Sequence, residues 1–70
     1  EAVELSHLLD RFLRELPRKD CCIFLRRYWY VDTLEEIAGR YGMALGTVKS
    51  SLFRSRKKLK AYLEKEGITV

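Results

Sequence analysis

The sequence predicts an all-α, four-helix domain containing a helix-turn-helix, on three observations. Apolar residues recur at three- and four-residue spacing through most of the chain. The single Pro and two of the four Gly fall at the breaks between those stretches. The 70 residues, 47% of them hydrophobic, suit one ordered domain with a thin core and leave little volume for an enclosed enzyme pocket. One domain over residues 1–70 is therefore expected, with helices at about 2–15, 17–30, 33–41 and 45–66.

The first segment carries Leu5, Leu8, Leu9, Phe12, Leu13 and Leu16 on one stripe, with Arg11, Arg14 and Glu15 on the other face. Pro17 is expected at the first position of the second helix, where its missing N–H costs nothing. Cys21, Phe24, Leu25 and Tyr28 follow helical spacing there, and Ile23 and Trp29 broaden the face. Arg26 and Arg27 point elsewhere. The segment runs into YWYVD, a β-prone cluster, but a lone strand has no partner in this chain.

The third segment opens on Thr33-Leu34-Glu35-Glu36, the pattern of a capping box. Leu34, Ile37, Ala38 and Tyr41 form its apolar face, and Gly42 is placed to end it in a left-handed conformation. Met43-Ala44 connects to the fourth segment. Its inward face is expected to be Leu45, Val48, Leu52, Leu59, Tyr62 and Leu63, with Ser55 filling the step between Leu52 and Leu59, and Gly67 ends it.

Charge separates the chain into two parts. Residues 1–46 hold seven Lys/Arg and eight Asp/Glu, while residues 47–70 hold seven Lys/Arg and two Asp/Glu. The whole net charge of +4 thus arises in the last third. A basic tail can be a solvated face only. Here the basic segment is also the second helix of a short-helix, Gly-turn, long-helix arrangement, with small Ala38 at the crossing and Val48 as the anchor. That is the anatomy and the electrostatic footprint of a helix that enters a DNA major groove.

Val48, Leu52 and Leu59 fix the inward side, which leaves Thr47, Lys49, Ser50, Phe53, Arg54 and Lys57 outward or at the rim. Lys49 and Arg54 can donate to guanine or phosphate, Ser50 can donate or accept, and Phe53 can meet a thymine methyl or a sugar. The competing reading of Phe53 is a cover over the core edge. Gly46 lets a phosphate approach the free N–H groups of the helix start, and Thr33 offers a cap together with a second such helix start. Arg56, Lys58 and Lys60 are expected to face backbone phosphate or solvent.

Other chemistries find no support. No paired carboxylates, Cys–His pair or phosphate loop stands out, so no catalytic residue and no enzyme activity is expected. Cys21 and Cys22 are adjacent, which strains any bridge between them, and His7 lies far from both. No metal and no cofactor is therefore expected. No apolar run is long enough for a membrane span. The chain opens at Glu1 and not at Met, and the expectation is a soluble intracellular stretch of a longer protein.

The stretches LPRKDCCIFLRRYW and TLEEIAGRYGMALGTVKSSLFRSRKKLKAYL resemble region 4 of the bacterial sigma-70 family, in particular its extracytoplasmic-function group. The resemblance rests on Leu16-Pro17, Glu35-Glu36-Ile37-Ala38, Gly42, Gly46 to Ser50 and Arg54 to Leu59, and covers about residues 10–65. It implies a cytoplasmic bacterial domain that recognises the −35 element of double-stranded promoter DNA and directs transcription initiation. It implies docking on the β-subunit flap of the RNA polymerase core through the apolar surface of the first three helices, and an anti-sigma factor as a further partner. The family's DNA-reading positions fall on Thr47, Lys49, Ser50, Phe53 and Arg54. Three positions depart. Ser51 stands where many members carry Arg, which removes one expected DNA contact. Ala44 replaces the usual capping residue. Val31-Asp32 replaces a Gly-Leu pair. Region 2, which melts promoter DNA in the family, has no counterpart in these residues, so the stretch by itself is not expected to start transcription.

Two alternatives remain at this stage. A LuxR-type regulator DNA-binding domain shares the four-helix plan and the Thr-Val-Lys core. A basic helical protein-interaction module would use the same charge against an acidic partner, with Trp29 and Tyr30 as exposed contacts.

Overall fold

The computed structural model describes residues 2–68, with side chains from Ser6 onward. Four helices follow one another: α1 (Ala2–Glu15), α2 (Arg18–Tyr28), α3 (Leu34–Tyr41) and α4 (Leu45–Lys65). No strand occurs among the described residues. At 1.5 Å per residue the 21-residue α4 is about 31 Å long. It is the spine of the fold, and α1, α2 and α3 all pack against it.

The centre of the core is Ile23, Ile37, Val48 and Leu52, with Phe24, Leu34, Ala38 and Met43 packed around them. Phe12, Leu16 and Leu63 are buried as well. The α1 stripe holds as expected from Leu8 to Leu16, while the side chain of Leu5 lies outside the described residues. Phe12 joins α1 to the rest, with its ring 6.0 Å from Phe24 in an edge-on arrangement and 5.7 Å from Tyr62.

Several boundaries differ from the sequence reading. Pro17 is the cap before α2, not its first residue: with φ −53° and ψ 146° it is extended, and its carbonyl accepts from Cys21 N–H at 2.9 Å. The second helix stops at Tyr28, two residues early. Trp29 does not broaden its buried face but is 76% exposed, and Tyr28 and Tyr30 are exposed too. The buried register of α2 is centred on Ile23 and Asp20. A face centred there leaves Tyr28 at the rim of the core, where its hydroxyl meets Arg56 of α4. Tyr41, expected on the apolar face of α3, is exposed, and Leu59 is only half-buried.

Asp32 closes the corner between α2 and α3. Its carboxylate pairs with Arg26 Nε at 2.8 Å and lies 3.8 Å from Arg40 Nε. Its carbonyl accepts from Arg27, and its N–H donates to the Arg26 carbonyl at 2.9 Å. The hydrogen bond to Asp32 raises the Arg26 pKa above its ordinary value, outweighing the opposing effect of burial. These bonds hold Val31 at φ 59°, a left-handed conformation unfavourable for a β-branched side chain.

Candidate nucleic-acid interface

The turn between α3 and α4 is built from local rules. Thr33 accepts from Glu36 N–H at 3.0 Å, and Glu36 Oε1 accepts from Thr33 N–H at 2.7 Å, so the capping box is complete. Gly42 ends α3 at φ 61° and ψ 40°, and Met43 N–H reaches back to Ala38 O at 3.0 Å. Ile37 and Val48, both fully buried, then lock the two helices across the turn. α4 begins differently. Ala44 is extended and supplies no side-chain cap, and no acidic residue stands in the first turn. Thr47 N–H already reaches the Ala44 carbonyl at 3.0 Å, and the N–H groups of Leu45 and Gly46 stay open to an anion. A Cβ added at Gly46 meets nothing within 4 Å, so the fold does not require glycine there and the space beside the helix start is open.

All eight residues expected at the DNA face are exposed: Thr33, Gly46, Thr47, Lys49, Ser50, Phe53, Arg54 and Lys57. The seven on α4 stand outside the core formed around Val48 and Leu52, with Arg54 at the edge toward α2. Phe53 is 56% exposed and does not belong to the core cluster. Lys57 Nζ lies 5.5 Å from the centre of its ring. Thr33 is set apart from the others. It sits at the start of α3, and Glu36 already engages both its hydroxyl and its N–H.

Beside this face runs an open groove of about 670 Å³ between the end of α2 and α4. Arg27, Lys49, Arg54 and Arg56 line it together with Tyr28, Ser50 and Phe53, and no carboxylate does. Four cations around one groove, one from α2 and three from α4, make a strongly positive surface. The sequence marks neither Arg27 nor Tyr28 as part of the site, and it places Arg56 against backbone phosphate or solvent. Arg56 donates to Tyr28 Oη at 3.0 Å, a bond that links α4 to the end of α2 across the groove. The signal was the 28-residue separation of two exposed side chains, which no local pattern carries.

Ser51 is the position where the resemblance puts an Arg in many members. It is not at the DNA face. It is buried, and its hydroxyl donates to Asp20 Oδ1 on α2 at 2.6 Å. Helical rotation of one residue from Ser50 carries it about 100° round, toward α2. Ser55, one turn further, is buried with no hydrogen-bond partner for its hydroxyl among the described residues.

Away from this surface the chemistry is sparse. Cys21 and Cys22 are free and half-buried, and burial, then the neighbouring Cys22, pushes the Cys21 thiol above its ordinary pKa. Among the described residues no three His, Cys, Asp or Glu converge as a metal site. No described helix is long and apolar enough to cross a membrane.

A capped short helix, a left-handed glycine turn and a longer helix with a buried and a basic face define a helix-turn-helix domain of the DNA-binding type. Comparison with known proteins gives the family. The description "Sigma-70, region 4" matches residues 6–59, and the chain belongs to that family. It is 36% identical over 61 residues to the RNA polymerase sigma-E factor of Streptomyces avermitilis. The match covers 87% of this chain and 34% of that relative, so the chain spans about a third of the relative's length. No solved structure matches.

Proposed function

We propose that this domain is the promoter-reading end of a bacterial extracytoplasmic-function sigma factor. It recognises the −35 element in the major groove and serves transcription initiation in the cytoplasm, with no catalytic chemistry of its own. The observation that carries the reading is the division of α4. Val48, Ser51, Leu52 and Ser55 face the core, while Lys49, Ser50, Phe53, Arg54 and Lys57 stand together on the exposed side.

Within that reading each residue has a role. Lys49 and Arg54 donate to base-edge acceptors, Arg54 with a fork suited to guanine. Thr47 and Ser50 bond to bases or phosphate, and Phe53 packs on a thymine methyl or sugar. Gly46 admits a phosphate to the open helix start. Lys57 and Arg56 neutralise backbone charge. Thr33 contributes by holding the start of α3 through its cap, with a phosphate contact there competing against the carboxylates of Glu35 and Glu36.

The RNA polymerase core, at its β-subunit flap, takes a second surface, which meets the basic groove at Tyr28. A groove of about 590 Å³ between α1 and α2, lined by Leu9, Leu13, Phe24, Leu25, Trp29 and Tyr30, offers it an apolar seat. An anti-sigma factor would act by covering the same surfaces. The exposed Trp29 and Tyr30, expected as glue in a protein-interaction module, find their use here without displacing the DNA reading.

The test is selection of bound duplexes from a random library at low and moderate salt. One short enriched motif, with affinity falling steeply as salt rises, is the expected result. Two half-sites at helical spacing would point to a dimeric regulator instead. Binding without enrichment at either salt would refute sequence reading.

A further inference from the structure

Asp20 is the one carboxylate buried among the described residues, at 8% exposure. It lies in the first turn of α2, where a carboxylate favours the helix dipole even when fully solvated. Capping therefore does not explain its burial, and a buried carboxylate is costly unless it is paired and hydrogen-bonded. Its partners both come from α4. Ser51 Oγ donates to Oδ1 at 2.6 Å, and Arg54 Nη2 stands 3.6 Å from the same oxygen. Ser51 and Arg54 are three residues apart, one behind the other on the side of α4 that faces α2.

The two contacts differ in kind. The hydroxyl bond is short and buried and fixes the rotation of α4 against α2. The Arg54 contact is too long for a good hydrogen bond and acts through charge. Arg54 remains 56% exposed, so its fork keeps donors free for a ligand while one side is tethered. An untethered arginine at a groove rim swings as readily to phosphate as to a base, and ordering it costs rotamer entropy. A fixed carboxylate behind it reduces that freedom and discourages phosphate by repulsion.

We infer that Asp20, although on a different helix from the reading face, is a positioning residue for sequence readout: it holds Arg54 over the groove and sets the rotation of α4 through Ser51. The inference rests on the DNA-reading function proposed above. It assigns Asp20 to specificity, not to affinity, since a carboxylate near DNA weakens general attraction.

The experiment uses Asp20→Asn, Arg54→Ala and the double variant in the full 70-residue chain. The asparagine is near-isosteric and still accepts from Ser51, but it no longer holds a guanidinium by charge. Binding is measured to the selected duplex, to duplexes changed at each base pair, and to a scrambled duplex, across salt, with a thermal melt of each variant. Asp20→Asn is expected to lower discrimination at the one base pair read by Arg54 about tenfold. Affinity for scrambled DNA should hold or rise, and the salt slope should steepen by about one phosphate contact. In the Arg54→Ala background the Asp20 change should add nothing at that base pair. The exchanged pair, Asp20→Ser with Ser51→Asp, keeps a carboxylate beside Arg54 and should restore discrimination, which decides the matter if Asp20→Asn does not fold.

A lowered melting temperature with unchanged base discrimination would overturn the inference, leaving Asp20 structural. Additive effects in the double variant would do the same. Loss of any motif by the unaltered chain would instead overturn the DNA reading itself, and this inference with it.

Discussion

Replacing Phe53 by Ala separates a reading surface from a core cover. A phenylalanine side chain offers roughly 200 Å². With 56% of Phe53 exposed, about 110 Å² is free, and at ~25 cal/mol/Å² complete coverage by DNA would be worth at most ~2.8 kcal/mol. A groove contact that covers half of it is worth ~1.4 kcal/mol, or about tenfold in affinity. On the stability side, Phe53 is outside the core cluster, but the ~90 Å² it already covers is worth at most ~2.2 kcal/mol at the same coefficient. Ala is the better helix former by roughly 0.5 kcal/mol, so the loss should stay below ~1.7 kcal/mol. The assay is fluorescence anisotropy with the selected and a scrambled duplex, paired with thermal unfolding followed by circular dichroism. The expected outcome is a roughly tenfold loss on the selected duplex, a smaller loss on the scrambled one, and a melting temperature lowered by less than about 14 °C. A clear fall in melting temperature with site preference intact would refute the reasoning and return Phe53 to the core.

Thr33→Ala removes the hydroxyl that accepts from Glu36 N–H and should cost about 1 kcal/mol, a fall of roughly 4–8 °C in melting temperature, with Thr33→Ser close to unaltered; an unchanged melt would show that the cap is idle. Val31→Gly relieves a left-handed β-branched residue whose side chain is 75% exposed. The strain of ~1–2 kcal/mol exceeds the added chain entropy of ~0.5–1 kcal/mol, so chemical denaturation should show a small gain in stability. Ser55→Ala removes a buried hydroxyl without a partner and adds helix propensity, and should raise stability by about 1 kcal/mol by the same measurement; a loss would mean that the hydroxyl is bonded in solution.

How far the sequence carried can be traced residue by residue. The α3 helix was legible at both ends because its signals are local: Thr33 and Glu36 cap each other three residues apart, and Gly42 needs only its own backbone. The split of α4 was legible because Val48 and Leu52 fix its rotation, and one rotation places every exposed residue. The end of α2 was not legible. Aromatic spacing through Tyr28 and Trp29 suggested continued burial, whereas the helix stops where Asp32 draws Arg26, Arg27 and Arg40 around it. Asp20 and Ser51 were missed for a related reason. Polar residues read as surface until a partner 31 positions away is known. The pairing of Tyr28 with Arg56 is hidden in the same way.

The two helices of the turn are finished unequally. α3 has Glu36 N–H held by the Thr33 hydroxyl at its start and a left-handed Gly42 at its end, whereas α4 starts on Ala44 with no side-chain cap. Amide hydrogens in the opening turn of α4 should therefore exchange with solvent sooner than those of the shorter helix before it. An arriving phosphate would slow that exchange by supplying the missing acceptor. In the proposed reading the unfinished helix start is the part that faces the duplex, and DNA would complete a piece of secondary structure as it binds.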